Sequence, residues 1–331
     1  MSKTICAFDI GESYIKIAVK SKKGMEVYSM QMPENLVKEG IIQMPHMLSD
    51  FLKEVKAECK LPKGECGIIV PDELTVCRTL TLPAMTEKQL QVNLPFEFSD
   101  YISGEPQKYV YDYALQEMYY DEDGKPTEMR LTGAVMSKES VTNYVNIFKH
   151  AGLKLRTLIP QEIALTNIMK DALETGRIEA ENEYCIINLG HRATQIYIYK
   201  GDELVVYRNL HIGGAAIDEA IAENENVDVF VARNHKNRNY NQVLDAEYTK
   251  DTFARIAVEV RKVINFYRFN NRESMLEHVY FTGGGSNLTE LCENIAEIND
   301  LQPKSMRELL PAEADQEMDM IGIFALGVLL Q

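Results

Sequence analysis

The chain has 331 residues, of which 45% are hydrophobic, and its 35 Lys and Arg against 50 Asp and Glu give a formal net charge of −15. The length predicts two domains or one elaborated α/β unit, and the apolar content excludes a disordered chain. The negative charge counts against a nucleic-acid binder and against a basic surface held on anionic lipid. The longest apolar run, residues 320–330, is too short to span a bilayer, so we expect a cytosolic protein without membrane insertion.

The first 82 residues have the apolar and polar alternation of strands, interrupted by turns rich in Gly, Ser and Lys. One stretch differs, because its apolar residues recur at helical spacing. The predicted strands lie at residues 4–10, 14–20, 25–32, 67–70 and 74–82, and the predicted helix at 45–59.

Residues 83–153 have the pattern of an inserted module with a helix, a hairpin and a second helix. Thr86 and Gln89 form a capping box that begins the first helix, and Pro95 should kink or end it early. The later elements are a hairpin of strands at 109–119 and 128–136, and a helix from Ser137 to His150 that Gly152 ends.

The second half repeats the order of the first: strand, glycine turn, strand, turn, strand. The two copies occupy residues 4–32 and 184–210, with strands of the second copy at 184–189, 194–199 and 203–210. Two copies of one topology predict two homologous half-domains that face each other. A further strand at 278–282 runs into a glycine turn and a helix, and a last apolar helix is predicted at about 317–330.

The turn after the first strand has the composition of an anion-binding hairpin. Gly11 and Ser13 allow backbone N–H groups to converge on an anion. Asp9 has the chemistry to hold Mg²⁺, usually through water, and Lys16 on the returning strand could reach a β- or γ-phosphate. The alternative is an ordinary hairpin without a ligand.

Two further turns have related compositions. Gly190 and Thr194 occupy equivalent places in the second copy, so a pair of hairpins could clamp a polyphosphate, although Asn188 stands where an Asp is expected and supplies no charge to a metal. The run 283–286 follows a strand and precedes a helix, which lets backbone approach a flat ligand; the alternative is a tight turn. The sequence contains neither the dinucleotide-binding glycine pattern nor a P-loop.

These three motifs, in this order, resemble those of the actin, Hsp70 and sugar-kinase superfamily, which carries phosphate-1, phosphate-2 and adenosine motifs on two RNase-H-like lobes. Over nearly its whole length the chain is similar to the type IV pilus assembly PilM family, whose relatives include the division protein FtsA. The most specific likeness lies in the module, at residues 78–90 (RTLTLPAMTEKQL), 111–113 (YDY) and 151–154 (AGLK).

The resemblance implies an α/β fold with an α+β insertion, in which two actin-type lobes surround a nucleotide cleft and an FtsA/PilM-type 1C domain is inserted. It implies a first lobe (1A) of residues 1–82, 154–180 and 311–331, an inserted domain of residues 83–153, and a second lobe of residues 181–310 with its 2B part around 223–260.

The resemblance also implies ATP and Mg²⁺ as cofactors, with Asp9 holding the metal and Gln161 positioning the attacking water. The family's A-E-x-x-K signature, whose Glu and Lys grip ribose and base, corresponds to residues 232–236, where Arg233 replaces the Glu and cannot accept ribose hydroxyl protons. The implied nucleotide-binding residues are Asp9, Gly11, Ser13, Lys16, Gly190, Thr194, Gly213, Gly214, Lys236, Gly283, Gly284, Gly285 and Ser286.

For function, the resemblance implies a cytoplasmic scaffold of a type IV pilus machine, held at the inner face of the cell membrane through a protein partner. It would dock on the short N-terminal peptide of a PilN-like bitopic membrane protein, contact other pilus platform proteins, and bind ATP as a structural or switching ligand with little or no hydrolysis. Two alternatives stay open: an FtsA-like cytoskeletal or division protein, and a small-molecule kinase, for which no catalytic carboxylate could be placed.

Overall fold

The computed structural model describes residues 4–22, 24–314 and 322–330, which form two five-stranded sheets, one three-stranded sheet, one two-stranded sheet and the helices that pack against them. Up to residue 174 the elements are β1 (Thr4–Ile10), β2 (Tyr14–Ser21), β3 (Gly24–Gln31), β4 (Val37–Lys38), β5 (Ile41–Ile42), α1 (Pro45–Glu58), β6 (Glu65–Val70), β7 (Thr75–Pro83), α2 (Glu87–Glu97), β8 (Tyr109–Tyr120), β9 (Pro126–Ser137), α3 (Lys138–His150), β10 (Lys154–Pro160) and α4 (Gln161–Glu174). The later elements are β11 (Glu183–Leu189), β12 (Thr194–Lys200), β13 (Glu203–Leu210), α5 (Gly214–Glu225), α6 (Val229–Arg238), α7 (Glu247–Asn270), β14 (His278–Thr282), α8 (Thr289–Ile298), β15 (Gln302–Lys304) and α9 (Ile323–Val328).

The first lobe is built on a sheet with the strand order β10-β6-β1-β2-β3, in which β1, β2 and β3 are antiparallel and β6 and β10 run parallel to β1. Successive side chains of a strand point to opposite faces, so β1 contributes side chains to two hydrophobic cores. Phe8 packs in the core that includes α1 and α3, whereas Ala7 packs in the core that includes α4 and α9. Helices therefore cover both faces of the sheet, as expected for its nearly continuous apolar strands.

The second lobe repeats this plan in the order β13-β12-β11-β14-β15, with β14 parallel to β11. One face packs against α5, α7 and α8. The other face joins the core of the first lobe, where Tyr197 and Tyr199 share a hydrophobic cluster with Leu165 and Phe324. The predicted pair of homologous half-domains is confirmed, and the cluster between them belongs to both.

The third sheet has the order β7-β9-β8 and is covered on one face by α2. The predicted capping box begins this helix: the Thr86 N–H donates to Gln89 Oε1 at 2.8 Å, and the Gln89 N–H donates to Thr86 Oγ1 at 3.4 Å. Pro95 lies in the last turn of the helix, which ends at Glu97.

The limits of this module differ from the predicted residues 83–153. β7, expected in the first lobe, pairs with β9 along its whole length, from Thr75 opposite Met136 to Pro83 opposite Glu128. α3, expected in the module, packs on the first sheet, where the rings of Phe148 and Phe8 are 5.2 Å apart. Strand pairing thus begins the module earlier than residue 83, and packing joins α3 to the first lobe; the other boundaries stay predictions.

Several elements had no predicted counterpart, namely the short strands β4, β5 and β15, the strand β10, and the helices α4, α6 and the 24-residue α7. The last helix, predicted at 317–330, is described only as α9, because residues 315–321 lie outside the described part of the chain. Within the described ranges, no helix combines the length and the apolar character that a membrane crossing requires.

Candidate functional site

The carboxyl ends of the parallel strands meet in the cleft between the two lobes. In the first sheet Val70 at the end of β6 pairs with Pro160 at the end of β10, and β1 ends beside them. In the second sheet Asn188 pairs with Thr282, which places the turn after β11 beside the turn after β14. Open α/β sheets bind ligands at this edge, so the turns that follow these strands form the candidate site.

The two glycine hairpins predicted from the sequence face each other across the cleft. Arg192 in the second hairpin lies 3.5 Å from Glu12 in the first, measured from Nε to Oε1. Its Nη2 also lies 3.4 Å from Oε1 of Glu39. The two turns are therefore close enough to hold the ends of one extended anionic ligand.

The first hairpin brings together all four of its predicted residues. Asp9 is buried, and its Oδ2 lies 3.0 Å from Nζ of Lys16 on the returning strand. The Gly11 N–H donates to the Tyr14 carbonyl at 3.0 Å, which closes the turn. The Ser13 hydroxyl is buried and has no hydrogen-bond partner among the described residues. A buried hydroxyl of this kind calls for a partner, and a phosphate oxygen would supply one.

The second hairpin uses its own donors internally. The Gly190 N–H donates to the Ala193 carbonyl at 3.0 Å, and the Gly214 N–H at the start of α5 donates back to the Gly190 carbonyl at 3.0 Å. Thr194 is fully buried, and its hydroxyl donates to the Ile212 carbonyl at 2.8 Å. These residues shape the second side of the cleft, and their hydrogen bonds hold the hairpin against the helix.

A buried charge cluster lies behind this hairpin. Asp218 is fully buried and pairs with Lys236 Nζ at 2.5 Å and with Arg233 Nε at 3.1 Å. Lys236 also donates to the Gly214 carbonyl at 3.2 Å, which places it at the predicted site. Burial and the Arg233 charge lower the pKa of His191 to about 4, so a neutral imidazole accepts from Arg233 at 2.9 Å. Two cations around one carboxylate leave a positive excess, which fits an anionic ligand.

The glycine turn after β14 approaches the second hairpin closely. Gly283 has φ +81°, and a β-carbon there would collide with Asn188 Oδ1, so glycine alone fits. A β-carbon on Gly284 would meet no atom within 4 Å, so this residue faces open space. The Ser286 hydroxyl donates to the Gly283 carbonyl at 2.7 Å and thus closes the turn.

Five of the predicted residues line one narrow pocket whose remaining wall is aliphatic. The pocket has a volume of only about 10 Å³, which is room for about one water molecule, so it does not admit a base without rearrangement. The five are Gly190, Thr194, Gly213, Gly214 and Gly285, and the aliphatic side chains are Leu189, Ile217, Ile256 and Leu291.

A polar contact between the lobes was not predicted. Asp72, in the turn after β6, accepts hydrogen bonds at Oδ2 from three side chains of the second lobe: the Tyr207 hydroxyl, Asn209 Nδ2 at 3.2 Å and Gln195 Nε2 at 3.2 Å. The Gln195 amide continues to the second glycine hairpin, since its Oε1 accepts from Asn188 Nδ2 at 2.7 Å. The position of Asp72 directly after a buried strand is the signal that could have revealed it.

The predicted water-positioning residue, Gln161, begins α4 at the same edge of the sheet, and its Oε1 accepts from the Tyr197 hydroxyl at 3.2 Å. The next residue, Glu162, is buried, and its Oε2 has no hydrogen-bond partner among the residues that the structure describes. Burial and the nearby Asp72 raise the pKa of Glu162 to about 7. The first lobe thus places a titratable carboxyl group beside the contact between the lobes.

Comparison with known families agrees with this architecture. A family model described as type IV pilus assembly protein PilM matches residues 7–306. The chain belongs to this family. Comparison with curated proteins finds no match.

Solved structures show the same fold over the whole chain. A PilM-PilN type IV pilus biogenesis complex matches at 22% identity and TM-score 0.82, covering 100% of this chain and 98% of the other. The ethanolamine utilization protein EutJ from Carboxydothermus hydrogenoformans matches at 14% identity and TM-score 0.60, covering 98% and 89%. MreB5 of Spiroplasma citri bound to AMPPNP matches at 12% identity and TM-score 0.55, covering 99% and 95%. The PilM-family chain is an actin-like protein of type IV pilus assembly.

Proposed function

We propose that the chain is a cytoplasmic scaffold of a type IV pilus assembly complex, held at the inner face of the membrane by docking on the N-terminal peptide of a PilN-like membrane protein. Family membership and the full-length likeness to a PilM-PilN complex support this proposal. Other pilus platform proteins would then assemble on the same scaffold, and the net charge of −15 counts against a direct contact with anionic lipid.

An exposed apolar strip at the junction of the first lobe and the module supports peptide docking. Ile41, Met44 and Met47 expose 47%, 41% and 55% of their surface. The adjacent Gly40 lies against Pro71 and Glu73, where the chain leaves the first lobe for the module. An apolar strip beside a mixed sheet is a surface on which a short peptide can bury its own apolar side chains.

The opposed hairpins are the observation that carries the second half of the proposal, which is that ATP with Mg²⁺ binds between the lobes. The Ser13 hydroxyl, which has no hydrogen-bond partner among the described residues, and Lys16 fit the phosphates, and Asp9 fits a hydrated Mg²⁺. The negative charge of a bound nucleotide would balance the positive groups of the two turns. Contacts from both turns would then hold the lobes together around it. Gln161 is held by Tyr197, and Asn188 supplies no charge to a metal, which favours little or no hydrolysis.

Calorimetry with Mg-ATP tests the nucleotide site. The change Asp9→Ala removes the carboxylate and leaves Lys16 without its partner, so we expect affinity to fall about tenfold or more. The control is Asp50→Ala, which removes an exposed carboxylate on α1 that pairs with the neighbouring Lys53. Equal affinity of wild type and Asp9→Ala would remove the first hairpin from the site.

Fluorescence anisotropy with the labelled N-terminal peptide of the PilN-like protein tests the docking surface. The double change Met44→Ser and Met47→Ser removes apolar area at the junction, so we expect about tenfold weaker binding. Val231→Ser is the control, since Val231 is also exposed but lies on α6 of the second lobe. If the double variant binds the peptide with unchanged affinity, the docking surface does not include Met44 and Met47. If the wild type does not bind the peptide, the proposed partner is wrong.

A further inference from the structure

The second lobe carries a large groove at the end opposite to the nucleotide cleft. The groove has a volume of about 790 Å³ and lies between the start of β11, the end of α7 and the segment 271–277. β11 runs from Glu183 at the groove to Leu189 at the phosphate-2 turn, so about 20 Å of strand separates the two sites. This groove is therefore a separate surface.

Polar contacts hold the walls of the groove in place. Glu183 accepts from the Tyr267 hydroxyl at 2.7 Å and from the Ser274 hydroxyl at 2.5 Å, which ties β11 to α7 and to the segment after it. Arg268 donates to the carbonyls of Leu276 at 3.0 Å and Asn299 at 2.9 Å. These bonds fix the segment 271–277 against β11 and α7, so the groove is preformed, and a ligand would not have to order it on binding.

Apolar side chains that are exposed to solvent line this groove. Met275 exposes 77% of its surface and Phe269 exposes 76%, the two largest values for a large hydrophobic residue in the described part of the chain. Val205 on β13 adds a third exposed apolar side chain to the wall. Exposed apolar residues gathered in a groove, rather than scattered singly, are typical of an interaction surface.

The charged residues of the groove are mainly acidic. Four glutamates line it against one lysine and one arginine, namely Glu181, Glu183, Glu273 and Glu277 against Lys200 and Arg272. Lys200 Nζ lies 3.5 Å from Glu181 Oε2 and pairs with it. The acidic residues that remain include Glu273 and Glu277, which lie near Phe269 and Met275 along the chain. An apolar surface with an acidic border is complementary to a peptide that carries Lys or Arg beside large apolar side chains. A second copy of this acidic chain would instead bring like charges together.

We infer that this groove is a second docking site, which binds a basic, apolar peptide segment of a partner protein. Phe269 and Met275 contact the apolar side chains of the segment, and Glu273 and Glu277 pair with its basic side chains. The site uses neither the nucleotide cleft nor the junction of lobe and module, so it leaves both open to their own ligands.

Binding of two labelled model peptides to the full chain tests this inference. Both peptides share a central Leu-Phe-Leu, which lysines flank in one and glutamates in the other. At about 0.15 M salt we expect the lysine peptide to bind about tenfold more tightly than the glutamate peptide. The double change Phe269→Ser and Met275→Ser should weaken the lysine peptide about tenfold, and Glu273→Gln with Glu277→Gln should remove most of the preference between the peptides.

Val258→Ser is the matched control, because Val258 is an exposed apolar residue of the same helix α7 that does not line the groove. Its affinity for the lysine peptide should equal that of the wild type. Equal binding of the two peptides, or full affinity of the serine double variant with an unchanged unfolding midpoint, would overturn the inference. So would a dimer in sedimentation that the double variant abolishes, because the groove would then belong to a second copy.

Discussion

Asn188 is the residue at which the second glycine hairpin carries an amide where a carboxylate was expected. Its Nδ2 donates to Gln195, and Gln195 Nε2 donates to Asp72 in the other lobe. A carboxylate at position 188 could not donate, so the Gln195 amide would have to reverse and present its carbonyl to Asp72. Two acceptors would then oppose each other. The amide therefore fits the connection between the lobes, at the expense of a possible metal ligand.

We predict that Asn188→Asp lowers the free energy of unfolding by about 1–3 kcal/mol at pH 7, because a buried acceptor loses its donor. Urea unfolding measures this change. A protonated carboxyl group can donate. The deficit, meaning the loss of unfolding free energy relative to the wild type, should therefore shrink as the pH falls toward the ordinary carboxyl range. Asn188→Ala is the control, since its deficit should persist at every pH. A deficit of Asn188→Asp that does not change with pH would contradict the donor argument.

Glu162 predicts a pH dependence of stability. Its pKa is raised from the ordinary 4.5 to about 7 by burial and by Asp72, so the folded chain binds a proton more tightly than the unfolded chain does. Stability from this group is therefore full below the unfolded pKa and is lost as the pH rises toward 7. Once the pH is above 7, the total loss of unfolding free energy from this group is about 3 kcal/mol.

The change Glu162→Gln keeps the side chain neutral, so we expect the variant to gain stability over the wild type as the pH rises from about 5 to 8. Urea unfolding at a series of pH values measures the difference. Glu174→Gln is the control, because Glu174 is exposed on the same helix, and its difference from the wild type should stay small. A constant difference for Glu162→Gln would show that the group does not titrate in this range.

At the scale of elements, helices with a recognisable cap or period could be predicted from the sequence. Thr86 and Ser137 accept hydrogen bonds from the backbone of α2 and α3, and both helices begin where those residues indicate. By contrast, α4 follows Pro160 and α7 follows Ala246, and neither of these residues provides a side-chain cap. The two helices are stabilised by the apolar clusters that they enter, which a local pattern does not reveal.

The same distinction applies to the candidate site. The glycine hairpins were predictable because a turn, its glycines and its flanking strands are contiguous in the sequence. Asp72 and Tyr207 are 135 residues apart, and they meet only because the two lobes pack together. Glu162 likewise acquires its raised pKa from burial in the folded molecule. The motifs could therefore be predicted, whereas the contact between the lobes could not.

The capping box of α2 allows a test of local stability in the module. We expect Thr86→Ala to destabilise the start of α2 by about 1 kcal/mol, because the Gln89 N–H loses its acceptor. Hydrogen exchange of the amides in α2 measures the effect without requiring global unfolding. Thr86→Asp restores an acceptor at the same position and should show near wild-type protection. Equal exchange in all three proteins would show that packing alone holds this helix.

At the scale of the whole molecule, the contacts that join the second lobe to the rest include three of different kinds. The apolar cluster shared by the two sheets is the largest, and Asp72 adds a buried polar contact. The module makes the third contact, where Arg130 of β9 pairs with Glu203 of β13. The module and the second lobe are thus in direct contact through β9 and β13.

We predict that Asp72→Ala loosens the two lobes, because Gln195, Tyr207 and Asn209 lose a common acceptor. Urea unfolding should report a loss of about 2–4 kcal/mol, and small-angle X-ray scattering should report a larger radius of gyration. Asp123→Ala removes the same charge from the exposed tip of the β8–β9 hairpin and should change neither quantity. An unchanged radius and stability for Asp72→Ala would mean that the apolar cluster alone sets the lobe positions.

The pair of contacts that Arg192 makes with Glu12 and Glu39 has a different physical character from the contact at Asp72. Arg192 and Glu39 are both largely in contact with solvent, so dissolved ions screen their attraction, whereas buried hydrogen bonds are screened much less. Raising the ionic strength should therefore release the outer contact first and leave the inner one closed. The mouth of the cleft would then loosen in concentrated salt, while the lobes keep their relative position.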